Sequence, residues 1–229
     1  VHRHWQTERP CRTPRSGRSV GLDAKQKISD FTFRNQSKTK AMKSEKEKML
    51  AGELYQASDP ELIQERLQAR KLMQLLNSSA PTESENRVSL LRKLVGKAGK
   101  NPWIEVPFYC DYGYNIQMGE DCFFNFNCMV LDVCKVTLGD RVLIGPAVQL
   151  YTATHPLDAA SRGALWEFGK PIEIGSDVWI GGGAVICPGV ILGDRVVVAA
   201  GAVVTKSFPS DVLIGGNPAK IIRYLSSKE

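Results

Sequence analysis

The sequence predicts a parallel β-helix of hexapeptide repeats, preceded by a small helical unit. Three observations carry this expectation. From Ile174 onward every sixth residue is aliphatic: Ile174, Ile180, Ile186, Leu192, Val198 and Val204. The position four further on is small or β-branched, at Val178, Ala184, Val190, Val196 and Ala202. Glycine follows the aliphatic residue at Gly175, Gly181 and Gly193. Six residues are not a whole number of α-helical turns, and the hairpin dipeptides that antiparallel strands need are scarce. A coil of three six-residue units, each a short strand and a turn, satisfies the period and stacks the aliphatic column inside a triangular prism.

Taken in chain order, the first element is a basic segment. The 229-residue chain has a formal net charge of +6, but residues 1–40 hold ten Lys/Arg against three Asp/Glu, and the rest holds 20 against 21. The body therefore offers no basic stripe of the kind that binds nucleic acid. Residues 1–43 are Arg- and Ser-rich and poor in apolar side chains. They read as a disordered extension, or as a segment ahead of a start at Met42. A transit peptide is disfavoured because no amphipathic face is visible. His2 and His4 fall here and are assigned no chemistry. No apolar run reaches the roughly 18 residues of a membrane span, and no charged-then-apolar signal peptide opens the chain. Six cysteines without such a signal fit a reduced, cytoplasmic protein.

Residues 44–100 read as the helical unit. Ser44 with Glu47 three positions on is a capping-box pattern. Asp59-Pro60-Glu61 supplies an N-cap and then proline at the first helical position. Leu62, Ile63, Leu67, Leu72, Met73, Leu75 and Leu76 give a helix-period apolar face that ends at Asn77-Ser78-Ser79-Ala80-Pro81. A third helix is expected from about Glu83 to Val95, before Gly96. Three short helices bury too little to stand alone.

Residues 101–229 read as the β-helix. Leu138, Ile144 and Leu150 extend the column upstream. Met118, Phe124 and Val130 form an earlier set, after which two extra residues shift the phase. Cys122, Cys128 and Cys134 take the small inward position, so they read as core. A three-thiolate metal site lacks an evident fourth ligand, and a dry interior disfavours thiolate chemistry. The column predicts a member at 156 and meets Pro156. Residues from about 156 to 171 are therefore an irregular coil or a loop thrown outward. Trp166 and Phe168 argue that it packs on something, which favours a functional loop. His155, outside the first segment the sole histidine, is read as the last residue of a regular coil unit at the root of that loop.

Flat prism faces pack well against copies of themselves, and grooves between copies draw their parts from two chains. At motif level the chain resembles the maltose and galactoside O-acetyltransferase family. The resemblance runs from about Ser44 to Arg223. It rests on EKEKMLAGELY, CDYGYNI (110–116), NFN (125–127), LDVC (131–134), YTATHP (151–156), GKPIEIGSDVWIGGGAVICPGV (169–190) and GAVVTKSFPSDVLIGGNPAKIIR (201–223). CDYGYNI, LDVC and YTATHP are closer to the maltose branch. The resemblance implies a left-handed β-helix and acetyl transfer from acetyl-coenzyme A to a sugar hydroxyl, with no metal, no membrane partner, and a homotrimer with sites between subunits.

Role by role, the resemblance implies that His155 is the general base, a task imidazole suits near neutral pH. It implies that Asn125 binds the acceptor hydroxyl and helps stabilise the transition state, and that the Gly182 amide serves the oxyanion on the coenzyme side. Acceptor contacts are implied at Asp111, Asp132, Glu167 and Arg66, and Glu167 is a candidate to orient His155. Coenzyme contacts are implied at Ala200, Thr205 and Lys206, and at Lys220 and Arg223 near the nucleotide. Each has a plainer reading. His155, Asn125, Asp111 and Asp132 suit turns, Gly182 a tight coil turn, Arg66 an exposed helix face, and Lys220 with Arg223 an amphipathic C-terminal helix. Three rivals remain. A zinc enzyme on the same fold needs three histidines, and the body has one. A non-sugar acceptor is opposed by the helical start and CDYGYNI. A catalytically silent scaffold is opposed by His155 together with Asn125.

Overall fold

The structure is a computed structural model and describes residues 42–225. The expectation for residues 1–43 falls almost wholly outside that range. Three helices open the described chain: α1 (Glu45–Leu50), α2 (Pro60–Asn77) and α3 (Ser84–Leu94). Ser44 and Glu47 form the reciprocal capping box, and the Asp59 carboxylate accepts from the amides of Glu61 and Leu62. The helices are not a separate body. Met73, Leu76, Leu90, Leu91 and Leu94 join the main core, as expected for a unit too small to bury its own apolar face.

The prism follows. Its first coil opens at the Lys97–Ala98 strand, which pairs with Gln117–Met118. The coil thus starts four residues ahead of the expected boundary at 101. Strands stack into three parallel faces. The first face carries Trp103–Ile104, Phe123–Phe124, Leu143–Ile144, Trp179–Ile180, Val197–Val198 and Val212–Gly215. The second carries Phe108–Cys110, Cys128–Leu131, Gln149–Tyr151, Val185–Ile186 and Val203–Val204. The third carries Lys97–Ala98, Ile116–Met118, Val136–Leu138, Ile172–Ile174 and Ile191–Leu192. The architecture is the left-handed β-helix. Ile174, Ile180, Ile186, Leu192, Val198 and Val204 are all at most 3% exposed, so the column is the core. Cys122, Cys128 and Cys134 are buried beside it, and burial raises all three thiols.

The corners alternate in kind. The first lies between first and second faces, the second between second and third, and the third closes the turn. At the third corner Asp140 and Asp194 carboxylates accept from the amides of Glu120 and Ser176 on the coil below, both at 2.8 Å. Such side-chain rungs fix the register of stacked coils.

One alternative and one expectation are set aside. The Lys220–Tyr224 segment is a strand antiparallel to Val212–Gly215, not a helix. Five residues after a Gly-Asn-Pro turn are too few for a stable free helix, and pairing satisfies the amides that the last prism strand would otherwise expose. The interruption is also more ordered than a loop. Ala153–Thr154 already pairs antiparallel with Trp166–Gly169, with Ala153 opposite Gly169 and Thr154 opposite Phe168. The chain therefore leaves the prism two residues before His155, which belongs to a two-stranded arm. Helix α4 (Ala159–Gly163), capped by Asp158, forms the arm's tip. The arm spends 18 residues, so Leu150 pairs with Ile186, 36 positions on, where regular coils pair residues 18 apart, as Trp179 does with Val197.

Candidate functional site

The first corner builds a groove. Phe124, Ile144, Ile180 and Val198 stack inward, so the residues after them, Asn125, Gly145, Gly181 and Ala199, stack at the corner. Beside them lies about 480 Å³ of room lined by Asn125, Pro146, Trp179, Gly182, Ala200 and Leu213, among others. Small residues here are a packing requirement. A Cβ on Gly181 would lie 2.6 Å from the Ala200 nitrogen, whereas one on Gly182 would point toward Pro146 at 3.1 Å. The backbone amides of Gly182 and Ala200 find no acceptor among the described residues. The Asn125 side-chain carbonyl accepts from the Phe126 amide at 2.8 Å, which leaves its NH₂ group to donate into the groove. Free, fixed donors beside a narrow groove suit an extended ligand with a developing negative charge.

The second corner builds a different site. The arm holds His155, whose Nδ1 lies 3.0 Å from the Trp166 carbonyl oxygen. A carbonyl only accepts, so Nδ1 carries the hydrogen, and in the neutral ring the lone pair falls on Nε2. Beneath the arm is a cavity of about 240 Å³ lined by Tyr55, Arg66, Arg70, Asp111, Tyr112 and Glu167, with Ala57 and Val133. Arg66 donates to the Tyr112 hydroxyl and to the Ala57 carbonyl, both at 2.6 Å. Burial, reinforced by the Glu167 charge, pushes the Asp111 carboxyl up to about 6, while Arg66 and Arg70 pull it back. Burial pushes the Tyr112 phenol up to about 12. The cavity thus offers carboxylate acceptors, guanidinium donors and aromatic walls, the chemistry of a polyhydroxyl ligand.

Two assignments change with the geometry. Asp132 is 0% exposed. One oxygen accepts from the amides of Asp111 (3.0 Å) and Tyr112 (2.9 Å), the other from that of Asn115 (3.3 Å). It has no surface to give a ligand and instead pins the segment that carries Asp111. Glu167 does not orient His155 through Nδ1. That nitrogen faces the Trp166 carbonyl, and the Glu167 carboxylate accepts from the Tyr55 hydroxyl at 2.9 Å. Tyr55 and Arg70 gave no signal in the sequence, since a two-residue strand has no period and Arg70 sits among other helix charges.

The remaining residues sort by corner. Thr205 and Lys206 follow the Val203–Val204 strand at the second corner, above the arm, with the Lys206 ammonium 5.6 Å from the Phe208 ring centroid. Lys220 and Arg223 lie on the strand beyond the first face, Arg223 opposite the groove residue Leu213. One chain does not unite the whole set. Asn125, Gly182 and Ala200 lie at the first corner, and His155, Asp111 and Glu167 at the second, with the second face between them. Among the described residues no group of three His, Cys, Asp or Glu could hold a metal, and no helix is long and apolar enough to cross a membrane.

A hexapeptide prism with a donor-lined groove at one corner and a tethered imidazole at the next defines a β-helix acyltransferase. Comparison with known proteins narrows the class. Residues 48–99 match the maltose acetyltransferase hexapeptide capping motif, and residues 171–206 the bacterial transferase hexapeptide model of six repeats. Nodulation protein L of Rhizobium meliloti is 48% identical over 179 residues, which is 78% of this chain and 98% of that protein. The crystal structure of a maltose O-acetyltransferase from Clostridium difficile superposes with a TM-score of 0.80 at 47% identity, covering 81% of this chain and 99% of that one. A hexapeptide-repeat acetyltransferase from Vibrio cholerae, solved with acetyl-coenzyme A, superposes with a TM-score of 0.76 at 44% identity, covering 81% and 100%. The chain belongs to the maltose and galactoside O-acetyltransferase family, and is an acetyltransferase.

Proposed function

We propose that the chain transfers the acetyl group of acetyl-coenzyme A to a hydroxyl of a sugar, by direct attack within a ternary complex. The observation that carries this is the His155 tether: with Nδ1 bound to the Trp166 carbonyl, Nε2 is the free base. The acceptor sugar sits in the second-corner cavity against Asp111, Glu167 and Arg66. His155 Nε2 takes the hydroxyl proton as the oxygen attacks the thioester carbon. The tetrahedral oxyanion accepts from the Gly182 amide, and the Asn125 NH₂ group assists. Collapse breaks the carbon–sulfur bond, and the departing thiolate takes the proton from the imidazolium. The pantetheine arm runs along the first-corner groove past Ala200, with Thr205 and Lys206 contributed from a second corner and Lys220 and Arg223 toward the nucleotide.

This reading requires a neighbour. The groove and the base occupy different corners, so a complete site takes the first corner of one copy and the second corner of the next. Both corners flank the second face, which turns inward, and three copies close the ring. Its outward side chains fit such contact, since Tyr109 is 48% exposed and Met129, Val185 and Val203 share its surface.

The test is acetyl-coenzyme A consumption with a panel of glucosides, galactosides, amines and amino acids, comparing wild type with His155→Ala. We expect turnover with at least one sugar and a loss of about 10²–10⁴-fold in kcat for the variant, the usual worth of a general base. Turnover confined to amines moves the acceptor class. Unchanged turnover in the variant removes His155 from the chemistry, and no turnover with any acceptor favours a scaffold.

A further inference from the structure

We infer that the two-residue strand Tyr55–Gln56, through Tyr55, positions the His155 imidazole from the N-terminal helical unit. This rests on the reading of His155 as base for its catalytic consequence, but the geometric claim stands apart from it. The arm's return strand, Trp166–Gly169, is the middle strand of a three-stranded sheet separate from the prism faces. On one side it pairs with Ala153–Thr154; on the other, Tyr55 lies opposite Glu167 and Gln56 opposite Trp166. Trp166 is the residue whose carbonyl holds Nδ1. Without its outer partner the arm is a lone hairpin with a long connection, and two-stranded hairpins are marginal in water.

The outer strand is itself well anchored. Tyr55 is 0% exposed and packs with Met49, Leu62, Tyr112 and Val133, a small cluster apart from the main core. Its hydroxyl donates to Glu167 at 2.9 Å. The Gln56 amide donates to the Glu45 carboxylate at 2.6 Å, and the Gln56 side chain donates to the Ala164 carbonyl near the arm's tip at 3.2 Å. The helical unit therefore holds both the arm's return strand and its tip. Tyr55 lines the cavity proposed for the acceptor, but it touches neither the coenzyme nor His155, so its effect on the base is one of positioning, and kcat is read at saturating acceptor to separate the two.

The experiment uses full-length protein with ¹⁵N-labelled histidine, in the variants Tyr55→Phe and Gln56→Ala. The first removes only a hydroxyl and keeps the ring in its cluster; the second keeps the strand and frees the tip. Long-range ¹⁵N–¹H correlation at mildly alkaline pH reports which ring nitrogen of His155 is protonated, with His155→Ala assigning the signal. Wild type should show the proton on Nδ1, and Tyr55→Phe a mixture with the other tautomer. At saturating acceptor its kcat should fall about fivefold, the worth of one hydrogen bond, with the KM for acetyl-coenzyme A unchanged. Gln56→Ala should give a smaller change of the same kind. An unaltered tautomer and kcat in a folded Tyr55→Phe protein overturn the inference, as does a fall in melting temperature with no tautomer change. If His155→Ala keeps full turnover while Tyr55→Phe still mixes the tautomers, the base assignment fails and the positioning contact survives.

Discussion

Replacing Asp132 by Asn tests whether this buried carboxylate is a structural pin. In the folded chain it is wholly enclosed and accepts from three backbone amides, those of Asp111, Tyr112 and Asn115. An asparagine carbonyl can keep the pair on Asp111 and Tyr112. Its NH₂ group must then face the Asn115 amide, donor against donor. One buried amide is left without an acceptor, a cost of about 2 kcal/mol. For a folded body of this size that lowers the melting temperature by about 4–8 °C. Because Asp111 hangs from the same segment, acceptor KM should rise while acetyl-coenzyme A KM holds.

The pH dependence sharpens the test. Burial pushes Asp132 up to about 7 from an ordinary 3.8, helped by the charge of Asp111 and opposed by the backbone bonds. A carboxyl raised in the folded state binds its proton more tightly there than in the unfolded chain. Its contribution to stability is therefore full below about pH 4 and is lost as pH rises through about 7. Thermal melts followed by circular dichroism at fixed protein concentration should show wild type losing stability across that window. The Asp132→Asn variant should lack that component, so the gap between the two narrows as pH rises. A variant that melts within about 1 °C of wild type at every pH, or a gap that widens with pH, refutes the reasoning.

Two adjacent glycines should behave oppositely. Gly181→Ala drives a Cβ to 2.6 Å from backbone of the next coil and should cost about 1–3 kcal/mol, seen as a lower melting temperature. Gly182→Ala brings its Cβ to 3.1 Å from the Pro146 carbonyl oxygen, a milder crowding, so it should lower the melting temperature less than Gly181→Ala yet raise the KM for acetyl-coenzyme A about tenfold by crowding the thioester; equal effects of the two variants on both readouts would contradict the groove assignment. Asp111, held up to about 6, should bind acceptor hydroxyls better once ionised. Acceptor KM is expected to fall as pH rises through about 6, and Asp111→Asn should flatten that profile.

The prism was legible because its signal repeats. Ile174 to Val204 states the period six times, and each restatement demands the same inward environment, so no single substitution hides it. The helix starts were legible for a local reason, since Ser44 with Glu47 and Asp59 with Pro60 solve the amide problem of a helix end within four residues. The arm was not legible in this way. Ala153–Thr154 and Trp166–Gly169 are too short to show alternation, and their pairing spans a connection without a hairpin dipeptide. Tyr55–Gln56 is shorter still, and its partner is more than a hundred residues away. Asp132 misled because an acidic residue in the LDVC motif of the resemblance looks like a ligand group. Only the fold shows that the amides of Asp111, Tyr112 and Asn115, on the coil below, converge on the Asp132 carboxylate.

The corner geometry follows from where the arm was inserted. Regular coils bring the groove residues into one stack at the first corner because each succeeds an inward aliphatic residue. The 18-residue arm departs from the second corner and returns to the third face without disturbing that stack, as the pairing of Leu150 with Ile186 shows. A base carried on the arm cannot reach the groove of its own chain except across the second face. The same insertion lets the arm be gripped by the helical unit through Tyr55 and Gln56. The prism thus fixes the first-corner amides of Gly182 and Ala200, and the arm with its helical brace fixes His155 and the second-corner cavity, the parts to which the proposed mechanism gives the coenzyme, the base and the acceptor. The proposed mechanism needs copies associated through the second face to join the two halves, so it predicts that dilution that separates them abolishes turnover before it unfolds the prism, checked by activity and light scattering across a dilution series.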